Sequence, residues 1–436
     1  MVLDMLRRKI YDTLLQWRRN KSKECLLVKG ARQVGKTFII EKYGREQYAS
    51  YIYINFYKNP EHKAIFEGSL EPGEIYKKIS LYVRDVVFVP HDTLIFLDEI
   101  QDCSNARTAL KFLAIDDLYD VIASGSLLGL HYKAMVSIPV GYERTLEMYS
   151  LDFEEFLWAM GKGEEAIGAL GGYFQRREKV EPGIHEQFIG LLREYLAVGG
   201  MPEAVNTFLR SSNFQEVYAT QKKIMESYRE DIKHYASTPM RQKIADCYQS
   251  IPRQLAKEYT KFQYKVVSKE GNARRYEKCL NWLADAGMIK MCVNVSTPLF
   301  PLVAYEKPDQ FKVYVTDIGL LTSLYGYETQ AALVKDTLKG PAKGGIYENL
   351  VFDMLIKRDF SLNYFKNDNS TQEIEFLYTR DGGVVPIEVK SKNGTTLSLN
   401  RFMEKYEPAV AYKLVSGNVG VSGTKVTLPL YMAIFL

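Results

Sequence analysis

Apolar residues recur along this chain with two periods. In the first third, short apolar runs alternate with helical patterns. Cys25 to Val28, Tyr51 to Phe56, Thr93 to Leu97 and Asp120 to Ala123 predict buried strands, and Thr37 to Tyr43, Gly73 to Val83 and Asn105 to Ile115 predict the helices between them. Ahead of the first strand, Leu6, Ile10, Leu14 and Trp17 share one face of a predicted amphipathic helix from Leu3 to Trp17. Its Arg7, Arg8, Arg18 and Arg19 read as a solvated face or as a phosphate contact. Strands alternating with helices predict a parallel, doubly wound α/β sheet with its ligand at the carboxyl ends of the strands.

Beyond residue 150 the pattern turns helical. Leu151 to Met160 and His185 to Val198 predict helices separated by a glycine-rich connector at Gly168 to Gly172, and Gly199-Gly200-Met201-Pro202 stops the second. Phe214 to Tyr235 reads as one long helix with many charges toward solvent. Arg241 to Val295 then gives three helices and a strand pair. In the third helix Tyr276, Cys279, Leu280 and Leu283 recur at helical spacing and Gly287 caps the end, after which Ile289, Met291, Val293 and Val295 alternate as in a half-buried strand. A helix over Gly344 to Arg358 and strands over Gln372 to Leu377 and Val385 to Lys390 follow.

Composition narrows the class without naming a function. The chain has 436 residues, of which 46% are hydrophobic and 25% charged, as in ordinary globular domains, and this length suggests about three domains. A net charge of +4 is too mild to demand a nucleic-acid partner but leaves room for basic patches. Five scattered cysteines without a C-x-x-C pair fit a reducing compartment better than a disulfide framework or zinc site, and the five dispersed histidines form no metal motif. With no apolar signal core and no membrane-length apolar run, the expected location is cytoplasmic.

The chemistry concentrates after the first strand. Gly30, four residues and Gly35-Lys36-Thr37 form the G-x-x-x-x-G-K-[ST] phosphate loop between a strand and a helix. Glycines let backbone N–H groups and a helix N-terminus approach phosphate oxygens. The nucleotide-binding set is Gly30, Arg32, Gln33, Val34, Gly35, Lys36, Thr37 and Phe38, with Lys36 reaching the β and γ phosphates and Thr37 on Mg²⁺. Four apolar residues then lead into Asp98 and Glu99, the Walker B pattern, which assigns Asp98 to the Mg²⁺ side and Glu99 to the attacking water. The strand ending at Ser124 offers either a γ-phosphate sensor or a simple turn.

The strings GARQVGKT, LIFLDEIQ, ASGSLL, SLDFEEFL and YLAVGGMPEAV resemble the predicted AAA-superfamily ATPases of bacteria and archaea, which carry a C-terminal domain of uncharacterised function. The resemblance spans nearly the whole chain. It implies that Ser124 is the sensor and that Arg144 lies where the family has a Gly-Arg step supplying an arginine finger, although here the local sequence is Gly141-Tyr-Glu-Arg144. Gly200-x-Pro202 resembles the adenine-facing lid motif of some signalling ATPases and equally suits a helix-ending turn.

The helix-helix-helix-strand-strand order is a winged-helix pattern. Asn272, Arg274, Arg275, Lys278 and Asn281 fall on the outer face of its third helix, which either enters a DNA groove or forms the solvated side of an internal lid. Further on, Glu348 lies on the apolar side of its helix, a costly place for an unpaired carboxylate. The string Pro386-Ile-Glu-Val-Lys-Ser391, placed after acidic residues, resembles the PD-(D/E)xK nuclease core. That resemblance assigns Glu348, Glu375 and Glu388 to divalent metal and Lys390 to the water or developing charge, with Glu375 standing where the family has Asp.

The resulting expectation is an AAA-type parallel-sheet module over residues 1–150, a helical lid or connector over 151–238, a winged helix over 239–330 and an α/β nuclease-like domain over 331–436. ATP with Mg²⁺ would control engagement of duplex DNA, with homo-oligomers formed if Arg144 acts in trans. The rival is an ATP-regulated protein-interaction switch with an inactive nuclease-like domain.

Overall fold

The computed structural model describes residues 6–20, 22, 24–126, 141–257, 261–367, 372–391 and 396–436. These fall into two compact units, one of Arg8–Ser150 with Asp285–Gly287, the other of the remaining described residues.

The first unit opens with helix α1 (Lys9–Arg19), and the sequence-predicted start at residues 3–5 lies outside the described residues. There follow β1 (Cys25–Lys29), α2 (Lys36–Gln47), β2 (Ser50–Asn55), α3 (Pro72–Tyr82), β3 (Thr93–Asp98), α4 (Ser104–Asp116), β4 (Asp120–Gly125) and β5 (Glu143–Glu147). The strands form an all-parallel sheet in the order β2-β3-β4-β1-β5. Central strands β3 and β4 are buried along their whole length, as their unbroken apolar runs require. One face packs Leu27, Ile54, Ile95, Leu97 and Ala123 against Ile75, Ala106 and Leu110 of the flanking helices. This order puts the tip of β4 between the end of β1 and the end of β3.

The second unit begins with α5 (Phe153–Ala159), which a capping box starts: Asp152 accepts from the Glu155 amide and Glu155 from the Asp152 amide. Helices α6 (Glu164–Arg176), α7 (Pro182–Val198), α8 (Pro202–Ser211), α9 (Phe214–Tyr235), α10 (Thr238–Leu255), α11 (Tyr264–Val267) and α12 (Ala273–Asp285) follow. Gly168 to Gly172, expected as a connector, instead lies inside α6. Ile167 and Leu170 are buried there, and a side chain on Gly171 would meet the Phe435 ring at 3.4 Å, so packing overrides the low helix propensity of glycine.

The strand pair that the sequence predicts as a wing is β6 (Ile289–Val295) and β7 (Glu306–Val315), joined antiparallel. After α13 (Ile318–Tyr325), α14 (Tyr327–Val334) and α15 (Pro341–Ile356) come β8 (Asn363–Lys366), β9 (Glu373–Arg380), β10 (Gly383–Val389), α16 (Leu397–Tyr406), β11 (Ala411–Val415), β12 (Gly420–Ser422) and β13 (Lys425–Pro429). The eight strands among the described residues of this unit make one mixed sheet, β12-β13-β11-β10-β9-β8-β6-β7. β6 is therefore an interior strand between β8 and β7, and the half-buried alternation predicted for it fails. Cys292 and Asn294 are fully buried beside Ile289 and Val295, with a bulge between Val293 and Asn294. Asn294 is satisfied there by the Gln310 side chain, the Lys366 carbonyl and the Lys366 amide.

Helix α15 is buried on nearly every side. Its Asp353 pairs with Lys357 at 2.9 Å, and Lys357 also donates to the Leu151 carbonyl. All five cysteines are buried thiols outside any disulfide. Among the described residues no helix is long and apolar enough to cross a membrane.

Burial pushes the Asp353 carboxyl up to about 7, against the opposing pull of Lys357. A raised acid stabilises the fold while protonated. That contribution shrinks as pH climbs above the unfolded value and is gone once pH has passed the folded one. Relative to Asp353→Asn, the wild type should lose roughly 1–4 kcal/mol of stability between pH 4 and 8. Urea midpoints of both proteins across this range test it. Parallel pH profiles would remove Asp353 as the source.

Candidate nucleotide site and carboxylate–lysine cluster

The loop between β1 and α2 is shaped by two glycines. Gly35 sits at φ 96°, where a side chain is strained, and a β-carbon on Gly30 would lie 2.0 Å from the Met148 carbonyl oxygen. Lys36 folds over the loop and donates to the Gly30 and Ala31 carbonyls, both at 2.9 Å. Val34 is buried, Arg32 is half-buried, and Gln33 and Phe38 are exposed. Arg8, expected on a solvated face or against phosphate, is buried instead. Its guanidinium donates to the Val34 carbonyl at 2.9 Å and the Tyr149 carbonyl at 2.6 Å, clamping the loop to the end of the sheet. Only a contact map could reveal that role, because α1 looks amphipathic by itself.

Asp98, at the end of β3, is the meeting point. Its Oδ2 accepts from Thr37 Oγ1 at 3.1 Å and from Tyr53 Oη and Asn55 Nδ2, each at 2.9 Å. Its Oδ1 accepts from the Glu99 amide at 3.1 Å and from the Ser124 hydroxyl. The structure thus joins four residues the sequence singles out, Thr37, Asp98, Glu99 and Ser124, and adds Tyr53 and Asn55, which it did not. Glu99 stands at φ 53°, an unusual backbone for a non-glycine residue, and accepts from Gln101 Nε2 at 2.6 Å. Burial raises its carboxyl above the ordinary range, while Gln101, Lys36 and Arg32 oppose the shift. Thr37 and Asp98 together offer a hydroxyl and a carboxylate oxygen 3.1 Å apart, a hard-oxygen pair suited to Mg²⁺. Arg144 lies elsewhere: it is exposed on edge strand β5, in register with Leu26 near the start of β1, whereas the phosphate loop follows the other end.

Residues 22–157 match the AAA domain family. That match and the all-parallel sheet give the first unit the fold of an AAA-type P-loop module. Residues 189–331 and 343–432 match two families described as domains of unknown function, DUF8612 and DUF4143. Among solved structures, the Walker-type ATPase PABY2304 of Pyrococcus abyssi aligns over 74% of this chain and 96% of its own at 14% identity and a TM-score of 0.41. The Aeropyrum pernix ORC1 protein, solved in complex with DNA, aligns over 76% and 93% at 14% identity and 0.31. AMPPCP-bound DnaA from Aquifex aeolicus aligns over 64% and 88% at 11% identity and 0.30. No curated protein is detectably similar in sequence.

In the second unit Arg274, Arg275 and Lys278 are all exposed on α12, whose opposite face buries Tyr276, Cys279, Leu280, Trp282 and Leu283. Gly199 to Met201 turn between α7 and α8, where Asp317 accepts from the Gly200 amide at 2.8 Å.

The residues assigned to a nuclease-like metal site are occupied by lysines. Glu348 receives the Lys312 ammonium at 2.7 Å and the Tyr314 hydroxyl. Lys312 also reaches Glu373 at 2.8 Å and lies 4.8 Å over the Tyr364 ring. Lys390 holds Glu375 at 2.8 Å and Glu388 at 3.4 Å. Glu375 is pushed up to about 7 by burial, with Lys390 opposing and Glu348 and Glu388 adding to the rise. Burial opposes the charge on Glu373 as well, but Lys312 and Lys366 bring that carboxyl down to about 2. Among the described residues no group of three or more His, Cys, Asp or Glu side chains is arranged to hold a metal ion. Glu348, Glu375 and Glu388, which the sequence assigns to a divalent metal, each have a lysine as ion-pair partner. Lys312, 36 positions ahead of Glu348 and on another element, carries no local sequence signal.

Removing Lys312 leaves the buried Glu348 carboxylate without its cation, while the half-buried Glu373 keeps Lys366. Lys312→Ala should cost about 3–5 kcal/mol of stability in urea unfolding. A loss below about 1 kcal/mol would mean the cluster is solvated.

Proposed function

We propose that this chain binds and hydrolyses ATP and that its nucleotide state controls how the second unit engages duplex DNA. The observation that carries the ATPase part is the convergence of Thr37, Glu99 and Ser124 on Asp98. In this mechanism the loop amides and the N-terminus of α2 receive the phosphates, and Lys36 exchanges its two carbonyl partners for β and γ oxygens. Thr37 and Asp98 would hold Mg²⁺, which when bound neutralises charge on the transferred phosphoryl group. Glu99 orients the attacking water, and Ser124, tied to Asp98, registers the γ-phosphate. Arg144, far from the loop in its own chain, is assigned to a neighbouring copy's site in a homo-oligomer.

Glu99→Gln should keep ATP affinity within about threefold while slowing phosphate release by two or more orders of magnitude. Lys36→Ala should abolish both. Calorimetry and a phosphate-release assay separate these outcomes, and normal turnover in Glu99→Gln would end the assigned role.

The exposed row on α12 supports the DNA part. Substituting Arg274, Arg275 and Lys278 together by Ala should weaken duplex binding and flatten its salt slope by about three. An unchanged slope would move the contact elsewhere. For the C-terminal sheet, the lysine-paired carboxylates favour a second reading, a binding module in place of a nuclease. Plasmid nicking with Mg²⁺ or Mn²⁺ that disappears in Lys390→Ala would reverse it.

A further inference from the structure

The ATPase module carries a pocket that the nucleotide chemistry does not use. It has a volume of about 530 Å³, within the roughly 300–1,000 Å³ range of small-molecule sites, and lies along β2, the edge strand of the parallel sheet. Arg45, Arg84, Tyr51, Tyr53, Val83 and Val86 line much of it.

The chemistry exposed there is mostly donor. Arg84 is exposed and forms no side-chain hydrogen bond or ion pair among the described residues. Arg45 spends its charge on Glu41, a solvent-facing pair at 2.8 Å that a stronger acceptor can displace. The Tyr51 hydroxyl is buried without a partner, an arrangement that normally costs stability unless an acceptor arrives. Asp85 is the acidic residue of the lining, and it is exposed. Val83, Val86 and Ile52 supply an apolar wall.

The wall also leads to the nucleotide site. Tyr51 lies against α2 at Gly44, where a β-carbon would come within 2.3 Å of its ring. It stacks on Tyr53 with centroids 6.4 Å apart and planes 12° from parallel. The Tyr53 hydroxyl donates to Asp98 Oδ2 at 2.9 Å. An occupant that shifts the tyrosine stack shifts a donor on the carboxylate assigned to Mg²⁺.

We propose that this pocket is an effector site for a small amphipathic anion, a carboxylate or phosphate head on a ring or short chain, coupled to Asp98 through Tyr53. The coupling rests on the ATPase reading above, whereas the binding does not. Phenyl phosphate and benzoate distinguish the two head groups. Each is titrated by calorimetry, without ATP, into the Lys36→Ala chain, so that the phosphate loop does not compete. One saturable site is expected, weakened about tenfold or more in the same chain carrying Arg84→Glu. Coupling is read in the Lys36-containing chain as a change of at least about threefold, caused by benzoate, in the affinity of a fluorescent ATP analogue with Mg²⁺. Tyr53→Phe should remove that change while keeping benzoate binding. The absence of saturable binding by both probes, or equal binding in the Arg84→Glu chain, would overturn the site. An equal affinity change in Tyr53→Phe would overturn the coupling route.

Discussion

A buried carboxylate in need of donors organises the first unit. Asp98 is only 3% exposed, and an ionised group so placed is tolerable only when several hydrogen bonds replace its water. Those bonds come from the helix after the phosphate loop, from two residues of β2, from the tip of β4 and from its own chain neighbour. The strand order makes this feasible, because β3 lies between β2 and β4. Asp98 therefore fixes the relative positions of the strand tips. Any change in its coordination is felt by four elements at once.

The second unit answers the same physical demand differently. Its acidic cluster is compensated by lysines from β7, β8 and the segment after β10, so the charges are balanced by covalently attached cations. Burying an ion pair gains little over apolar packing, yet removing one partner is costly, and such clusters therefore persist once formed. A carboxylate pattern read along one strand cannot reveal this. The partner of Glu348 and Glu373 arrives from another strand of the sheet.

Most of the first unit was legible because its signals are local. Buried parallel strands are apolar runs, the phosphate loop is contiguous, and Asp98-Glu99 ends its strand. What escaped was long-range. Arg8 is remote in sequence from the Val34 carbonyl it clamps, and Tyr53 and Asn55 look like ordinary strand residues until β2 pairs with β3. The ASGSLL string is visible only as far as Ser126, since Leu127 and Leu128 lie outside the described residues. In the second unit, Phe214 to Tyr235 appears as read from the sequence, but β6 was misread. Alternation predicts one covered face, but Cys292 and Asn294, on the face expected to be open, are fully buried, and β6 is hydrogen-bonded along both edges, to β7 and to β8.

That continuity bears on how the second unit can work. A freestanding winged helix could move on its own linker, with its hairpin as a separate flap. Here the hairpin is hydrogen-bonded into an eight-stranded sheet that also carries the lysine-paired carboxylates, and α12 precedes it by a turn at Gly287. Bending between β6 and β8 would break ladder bonds and expose the cluster packed around Val295, Phe365, Ile374 and Leu377. Strand β7, which carries Lys312, and β6 consequently share one continuous sheet with the strands that carry Glu373, Glu375 and Glu388, and α12 leads into it at β6.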